Sequence, residues 1–295
     1  MPEGPEVRRI TDHLARHTQD AVLVSIDEVD PRYGTEGRQF RGAVQPLMDA
    51  LSKNPLPITV NCKGKFIYWL VDKDSDNPFV IFQTLGMSGT WRESTPKKHH
   101  RLSFVLKKTK TKTIHYKDAR CFGTFIVHEG LEALEQKLAK GLGPDLLQVQ
   151  TSREQVLSIF RKKDKQNITK VLMNQKVFAG IGNYLKAEIL HECKLSPHCN
   201  VEDLTDDELW NLHQVARNHI TISYNARGAS FRDYVMPDGS KGTKQYKFKV
   251  YQRKVCPCGE CVTREETPDK RATWWCSHCQ EIPLGRSLKY QTKLL

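Results

Sequence analysis

The chain has 295 residues, with 46 lysines and arginines against 34 acidic residues and a net charge of +12. That length suits two domains better than one core, and the charge favours a polyanionic partner such as nucleic acid. No run approaches the ~20 apolar residues of a membrane helix, and the polar first twenty residues lack the apolar core of a signal peptide, which points to a soluble, intracellular protein. In that setting the clustered members of the nine cysteines read as metal ligands rather than disulfides.

The first residues, Met1-Pro2-Glu3-Gly4-Pro5-Glu6, place a proline behind the initiator and an acid behind the proline. Removal of Met1 would leave a secondary amine, which attacks a sugar aldehyde to form a charged iminium, a strong electron sink. An α-amino group ordinarily titrates near about 7.7 to 8.0, so part of it is nucleophilic at neutral pH. Glu3 is near enough to shuttle protons at the same carbon. The plain alternative is two prolines stiffening a helix entrance.

Val7, Ile10, Leu14 and Ala15 share one face of a helix over 5–15. Short β-rich runs follow at 21–26, 66–71, 79–82, 102–106 and 122–127, with a helix inserted at 40–52, a pattern that predicts a β-sandwich or barrel. Leu142-Gly143-Pro144-Asp145 breaks it, placing an interdomain linker at 139–151 after an N-terminal domain of 1–138. Helical periodicity then marks 152–161, 165–174, 183–193 and 205–225 in a domain over 152–245 that carries a polar, glycine-containing loop near 227–242. A β-like run at 246–251 leads into a final segment of 246–295.

Cys258-x2-Cys261-x14-Cys276-x2-Cys279 has the spacing of four thiolates around one structural Zn²⁺ on a β-hairpin, with Cys256 and His278 as spare candidates. Arg271, at the far end of that hairpin, would reach a phosphate or stand as a solvated turn residue. In Asn174-Gln175-Lys176-Val177-Phe178-Ala179-Gly180-Ile181-Gly182-Asn183-Tyr184, two glycines permit close backbone approach to a phosphate and Asn183 is placed to cap the next helix. Leu85-Gly86-Met87-Ser88-Gly89 and Asp118-Ala119-Arg120-Cys121-Phe122-Gly123 set apolar side chains on loops, suited to wedging into a base stack or to filling a core. Lys65, at the turn Cys62-Lys63-Gly64-Lys65-Phe66, would contact a phosphate or remain a surface lysine.

In this order, from residue 2 to about 280, these motifs resemble the formamidopyrimidine-DNA glycosylase and endonuclease VIII family of base-excision repair enzymes. The resemblance implies an α+β fold: an N-terminal β-sandwich with flanking helices, then a helical domain with a helix-two-turns-helix motif and a zinc-finger hairpin. It implies Pro2 as nucleophile at the sugar C1′, Glu3 as general acid/base, Glu6 as a supporting acid and Lys65 as a phosphate contact beside the lesion. Lys170, Gly182, Asn183 and Arg271 would bind DNA, while Met87, Arg120 and Phe122 would fill the void left by the flipped nucleotide.

The implied activity is a bifunctional glycosylase and abasic-site lyase with β,δ-elimination, one structural zinc ion, and damaged DNA, double- or single-stranded, as the partner of a monomer. Oxidised pyrimidines and hydantoins are the expected lesions. The alternatives are 8-oxoguanine or formamidopyrimidine specificity, and a noncatalytic zinc-stabilised protein that binds damaged DNA. Cys121 stands where the family often repeats arginine, Gln252 replaces a frequent glycine, and the 227–242 loop is placed to cover the flipped base.

Overall fold

A computed structural model describes residues 2–229, 237–240 and 246–280. The chain divides into two compact units, Met1–Gly141 with Ser223–Gln245, and Leu142–Ile222 with Tyr246–Leu295.

The first unit opens with α1 (Gly4–Thr18). Glu3 caps it in a reciprocal capping box with Glu6, and Pro5 sits in the first turn, where its missing N–H costs no helical hydrogen bond. Val7, Ile10 and Leu14 are buried along one face.

Nine strands follow: β1 (Val22–Glu28), β2 (Phe40–Gly42), β3 (Leu56–Lys63), β4 (Phe66–Val71), β5 (Phe79–Thr84), β6 (Thr90–Arg92), β7 (His100–Lys107), β8 (Thr111–Lys117) and β9 (Thr124–Glu129). Helix α2 (Val44–Lys53) interrupts them, starting four residues later than its periodicity suggests because Phe40–Gly42 pairs in parallel with β9. The strand order is β2-β9-β5-β4-β3-β1-β7-β8-β6, and the β1–β3 seam has only two residue pairs. At that narrow seam the sheet turns over on itself, so aromatic side chains from both halves meet. Trp69 on β4 lies 5.2 Å from Trp91 on β6 and 5.0 Å from Phe104 on β7, and Tyr116 on β8 lies 4.9 Å from Phe125 on β9. Both indoles donate to the buried Gln83 side-chain oxygen, at 2.9 and 3.3 Å, so that oxygen is satisfied twice. After β9 the chain forms the short α3 (Glu132–Gln136).

The second unit contains α4 (Arg153–Arg161), α5 (Ile168–Met173), α6 (Asn183–Glu192), α7 (Asp206–Asn225) and the hairpin β10 (Thr263–Thr267) to β11 (Arg271–Trp275). Ser152 caps α4 in a capping box with Gln155, and the Asn167 side chain caps α5, so the latter starts later than the apolar pattern suggests. The β-like run at 246–251 is not a strand. Instead the consecutive N–H groups of Lys249, Val250 and Tyr251 donate to the buried Glu188 carboxylate at 2.8, 3.0 and 2.7 Å. A strand would point alternate N–H groups in opposite directions, so this convergence excludes one. No helix among the described residues is long and apolar enough to cross a membrane.

Candidate functional site

In the first unit the chain start is held by a carboxylate relay. Pro2, Glu3 and Glu6 are all buried. One Glu6 oxygen accepts the Glu3 backbone N–H at 2.9 Å; the other accepts the Ala229 N–H at 2.8 Å and the Ser223 hydroxyl at 3.4 Å. Glu6 thus positions the residue that follows Pro2.

Lys65 lies at the tip of the β3–β4 hairpin, where Lys63 pairs with Phe66 and leaves Gly64 and Lys65 as the turn. Gly64 adopts φ +59°, as such a two-residue turn requires of its first position.

Met87 and Phe122 are among the exposed large apolar side chains, at 41 % and 57 %. Their loops are latched together by Asp118, which is fully buried. Its carboxylate accepts from the Tyr33 hydroxyl and the Gly123 N–H at 3.0 and 2.8 Å, and from the Arg120 N–H at 3.1 Å and the Ser88 hydroxyl. Burial, with the Asp118 charge beside it, pushes the Tyr33 phenol well above its ordinary range and keeps it a donor. Gly86 has φ +58°, and a Cβ there would sit 2.6 Å from the Phe122 backbone, so close nesting of the loops demands glycine. The exposed Arg120 guanidinium reaches the Met87 sulfur at 3.4 Å. Cys121, by contrast, is buried at φ +54° inside the turn.

In the second unit the turn from α5 to α6 is organised by Gln175. Its amide donates to the Met173 and Ile181 carbonyls at 3.0 and 2.9 Å and accepts the Gly180 N–H at 3.0 Å. Gly182, not Asn183, is the N-cap of α6. Asn183 is the first helical residue, and its side chain donates to the Ala272 carbonyl of the β10–β11 hairpin at 2.9 Å. That hairpin is also fixed to α6 by an ion pair between Lys186 and Asp269 at 2.6 Å. These two contacts bring exposed Arg271 and the α6 N-terminus into one neighbourhood. Lys170 is exposed on the last turn of α5. Neither Asp118 nor Lys186 stood out from pattern alone; the signal for Lys186 is that it and Glu188 are charged residues set among the apolar residues of α6.

The cysteines require one correction. Cys258, Cys276 and Cys279 gather with Cys256, and the metal-ligand atoms of these four lie within 4.8 Å of one another. Cys261 is exposed and takes no part. A tight turn explains the exchange: the Cys256 N–H donates to the Glu260 carbonyl, the Gly259 N–H donates to the Cys256 carbonyl, and Gly259 adopts φ +98°. Cys258 folds back beside Cys256, while Cys261 pairs with Val255 on the outgoing arm. His278 is exposed and outside the cluster. The Cys256–Cys279 and Cys258–Cys276 sulfurs are 3.8 and 3.6 Å apart. Four Zn–S bonds of ~2.3 Å in a tetrahedron span edges of about 3.8 Å, so the donor set can bind a metal such as zinc. Gln252 has φ +55°, a left-handed conformation that glycine adopts without steric cost.

Residues 1–125 match the formamidopyrimidine-DNA glycosylase N-terminal domain, and residues 142–234 match the H2TH domain of the same glycosylase. The formamidopyrimidine-DNA glycosylase of Zymomonas mobilis is 31% identical over 286 residues, covering 95% of this chain and 100% of its own. The chain belongs to the formamidopyrimidine-DNA glycosylase and endonuclease VIII family. A second member, from Desulforamulus reducens, is 29% identical over 300 residues, covering 95% of this chain and 99% of its own. The fold is similar to that of a Lactococcus lactis FPG mutant solved with DNA containing Fapy-dG, with a TM-score of 0.79 at 24% identity over 95% of this chain and 100% of that one. The wild-type L. lactis protein has been solved with DNA containing an oxidised pyrimidine, with a TM-score of 0.78 at 24% identity over the same shares. Within the family's N-terminal match lie Pro2, Glu3, Glu6, Lys65, Met87, Arg120 and Phe122; within its H2TH match lie Lys170, Gly182 and Asn183.

Proposed function

We propose that the chain is a bifunctional DNA glycosylase and abasic-site lyase acting on oxidised bases through Pro2. The observation that supports this most directly is the Glu6 carboxylate, which fixes the backbone of Glu3 beside a buried Pro2 at a helix N-terminus. Once Met1 is cleaved, the Pro2 nitrogen attacks C1′, the C1′–base bond breaks, and the base leaves with a proton that Glu3 is placed to supply. Opening of the sugar ring with a proton on its oxygen leaves an iminium at C1′. The iminium acidifies the C2′–H, whose loss expels the 3′ phosphate; a second proton loss from the conjugated chain expels the 5′ phosphate. Hydrolysis of the iminium returns the amine.

The target base must leave the stack, at a cost of a few kcal/mol. Met87, Arg120 and Phe122 are the proposed void-fillers, and Lys65, Lys170, Gly182, Asn183 and Arg271 the proposed phosphate contacts. Cys256, Cys258, Cys276 and Cys279 are the proposed holders of one structural Zn²⁺, whose binding would supply folding free energy to a hairpin too small for a core of its own. Oxidised pyrimidines and hydantoins are the proposed lesions, in duplex or single-stranded DNA, with formamidopyrimidine, the base in the relatives' name, as the alternative. The loop expected to cover the base, 227–242, lies largely outside the described residues.

Borohydride should trap a covalent adduct between the processed protein and oligonucleotides carrying an abasic site or an oxidised base, and Pro2→Gly should weaken it severely. Intact-mass analysis of the same sample reports whether Met1 is gone; full activity with Met1 retained would overturn the mechanism. A panel of oxidised pyrimidines, hydantoins, 8-oxoguanine and formamidopyrimidine, in single and double strands, ranks the substrates.

A further inference from the structure

Away from Pro2, the last turn of α1 meets the segment after β6 in a cluster that the glycosylase reading does not use. His13 and His17 are one helical turn apart, so both rings project from the same face of α1. The His13 Nε2 lies 2.6 Å from a Glu93 oxygen, the His17 Nε2 lies 3.0 Å from that same oxygen, and the two ring nitrogens are 3.2 Å apart. Glu93 is itself held in place, its backbone N–H donating to the Pro237 carbonyl at 3.1 Å.

We propose that His13, His17 and Glu93 form a second divalent-metal site, of the zinc class, that ties the end of α1 to the β6 segment. Three potential ligand atoms converge on one point: two ring N–H groups donating to Glu93 would face each other across 3.2 Å, whereas a metal ion bonds to all three atoms. Two imidazoles and a carboxylate are a donor set that zinc favours, and bonds of about 2.0–2.1 Å in a tetrahedron give ligand edges near 3.3 Å. The observed edges of 3.2 and 3.0 Å lie close to that value, and the 2.6 Å edge would open by about 0.7 Å as the metal enters.

A cation already sits beside these atoms: the Lys112 ammonium is 2.9 Å from the second Glu93 oxygen and 3.5 Å from the His17 Nε2. Its side chain is 40 % exposed and can swing into solvent as the metal enters. Arg16, also exposed, lies 3.1 Å from the His13 Nδ1 and would move so that this nitrogen carries the proton when Nε2 binds metal. Burial lowers the His13 pKa, with the Glu93 hydrogen bond only partly offsetting it. Burial raises that of Glu93, but hydrogen bonds from Lys112 and His17 outweigh it and hold the group at about 2. The fourth coordination position would be left to water.

The test uses the full chain, stripped with chelator and reconstituted with zinc or with cobalt as a spectroscopic probe. Elemental analysis of the desalted wild type should give one more equivalent than His17→Gln or Glu93→Gln. The cobalt spectrum of both variants should keep the sulfur-to-metal charge-transfer band of the cysteine cluster and lose only the sulfur-free d–d component. Lys112→Ala removes a competing positive charge and should tighten that component by about tenfold. Circular dichroism checks that the variants are folded. Equal metal content in folded wild type and both variants, or a wild-type cobalt spectrum with thiolate bands alone, overturns the site.

Discussion

Lys186 on α6 and Asp269 in the β10–β11 turn form an ion pair at 2.6 Å whose side chains are 0 % and 3 % exposed. Such a pair is held by geometry: removal of one partner strands a buried charge, at about 3–5 kcal/mol, whereas replacement of both by apolar groups is far milder. Asp269→Ala is therefore expected to lower stability by about that amount and to weaken DNA binding through Arg271. Lys186→Met with Asp269→Leu should recover much of the loss. Denaturant titration and a salt-dependent binding series check both.

Asp118 is the latch of the proposed wedge. Asp118→Ala leaves the Gly123 N–H without its acceptor and removes one of two acceptors from the Tyr33 hydroxyl and the Arg120 N–H, which keep the Gly123 carbonyl and the Ser88 hydroxyl, so a loss of about 1–3 kcal/mol is expected. Met87→Ala with Phe122→Ala should instead leave stability within about 0.5 kcal/mol, since both side chains are exposed. The double variant is expected to lower kcat/KM on duplex lesions by at least about tenfold, near 1.4 kcal/mol of transition-state stabilisation. Activity on single strands, where there is no void to fill, should fall less.

Glu6 accepts from backbone donors on both its oxygens. Glu6→Gln puts an amide NH2 against one of those N–H groups, a donor facing a donor. We expect a loss of about 1–3 kcal/mol in stability and a slower borohydride-trapping rate with DNA affinity retained. Affinity falling in step with trapping would argue for general disruption.

The cysteine assignment is separable by two substitutions. Cys256→Ser should lose the finger metal and unfold the hairpin, while Cys261→Ser should keep both, because the Cys261 thiol lies outside the cluster. Zinc content per chain and the cobalt charge-transfer band report the difference. Chelation of the wild type should reproduce the Cys256→Ser behaviour.

Acid should destabilise the second unit. Burial holds His213, with Arg217 nearby, at about 4, and burial likewise holds His219 at about 4. The unfolded chain protonates these rings near 6.5, so between about 6.5 and 4 the unfolded state binds more protons. Stability contributed by the neutral rings is complete above 6.5, declines as pH falls through that window and declines no further below it. Urea midpoints at pH 7 and 5 should differ, and His213→Asn should reduce the difference.

The sequence by itself carried the family's motifs and much of the layout. Pro2-Glu3, the glycine-flanked Met87, the Gly180-Ile181-Gly182 turn and the paired cysteines are local, because each depends on residues adjacent in the chain. Periodicity located α1, α6 and α7 for the same reason. Strand β3 escaped that reading: Pro57 masks its edge, although Ile58, Val60 and Cys62 alternate inward. The run at 246–251 resembled a strand, yet its backbone donors go to Glu188, which lies 61 residues from Lys249. Only the tertiary structure could decide that Cys256 replaces Cys261, that Asp118 latches two loops, that Asn183 binds the hairpin rather than capping its helix, and that His13 and His17 meet Glu93. Each depends on partners distant in sequence or on the direction in which a turn points a side chain, and neither spacing nor composition encodes that direction.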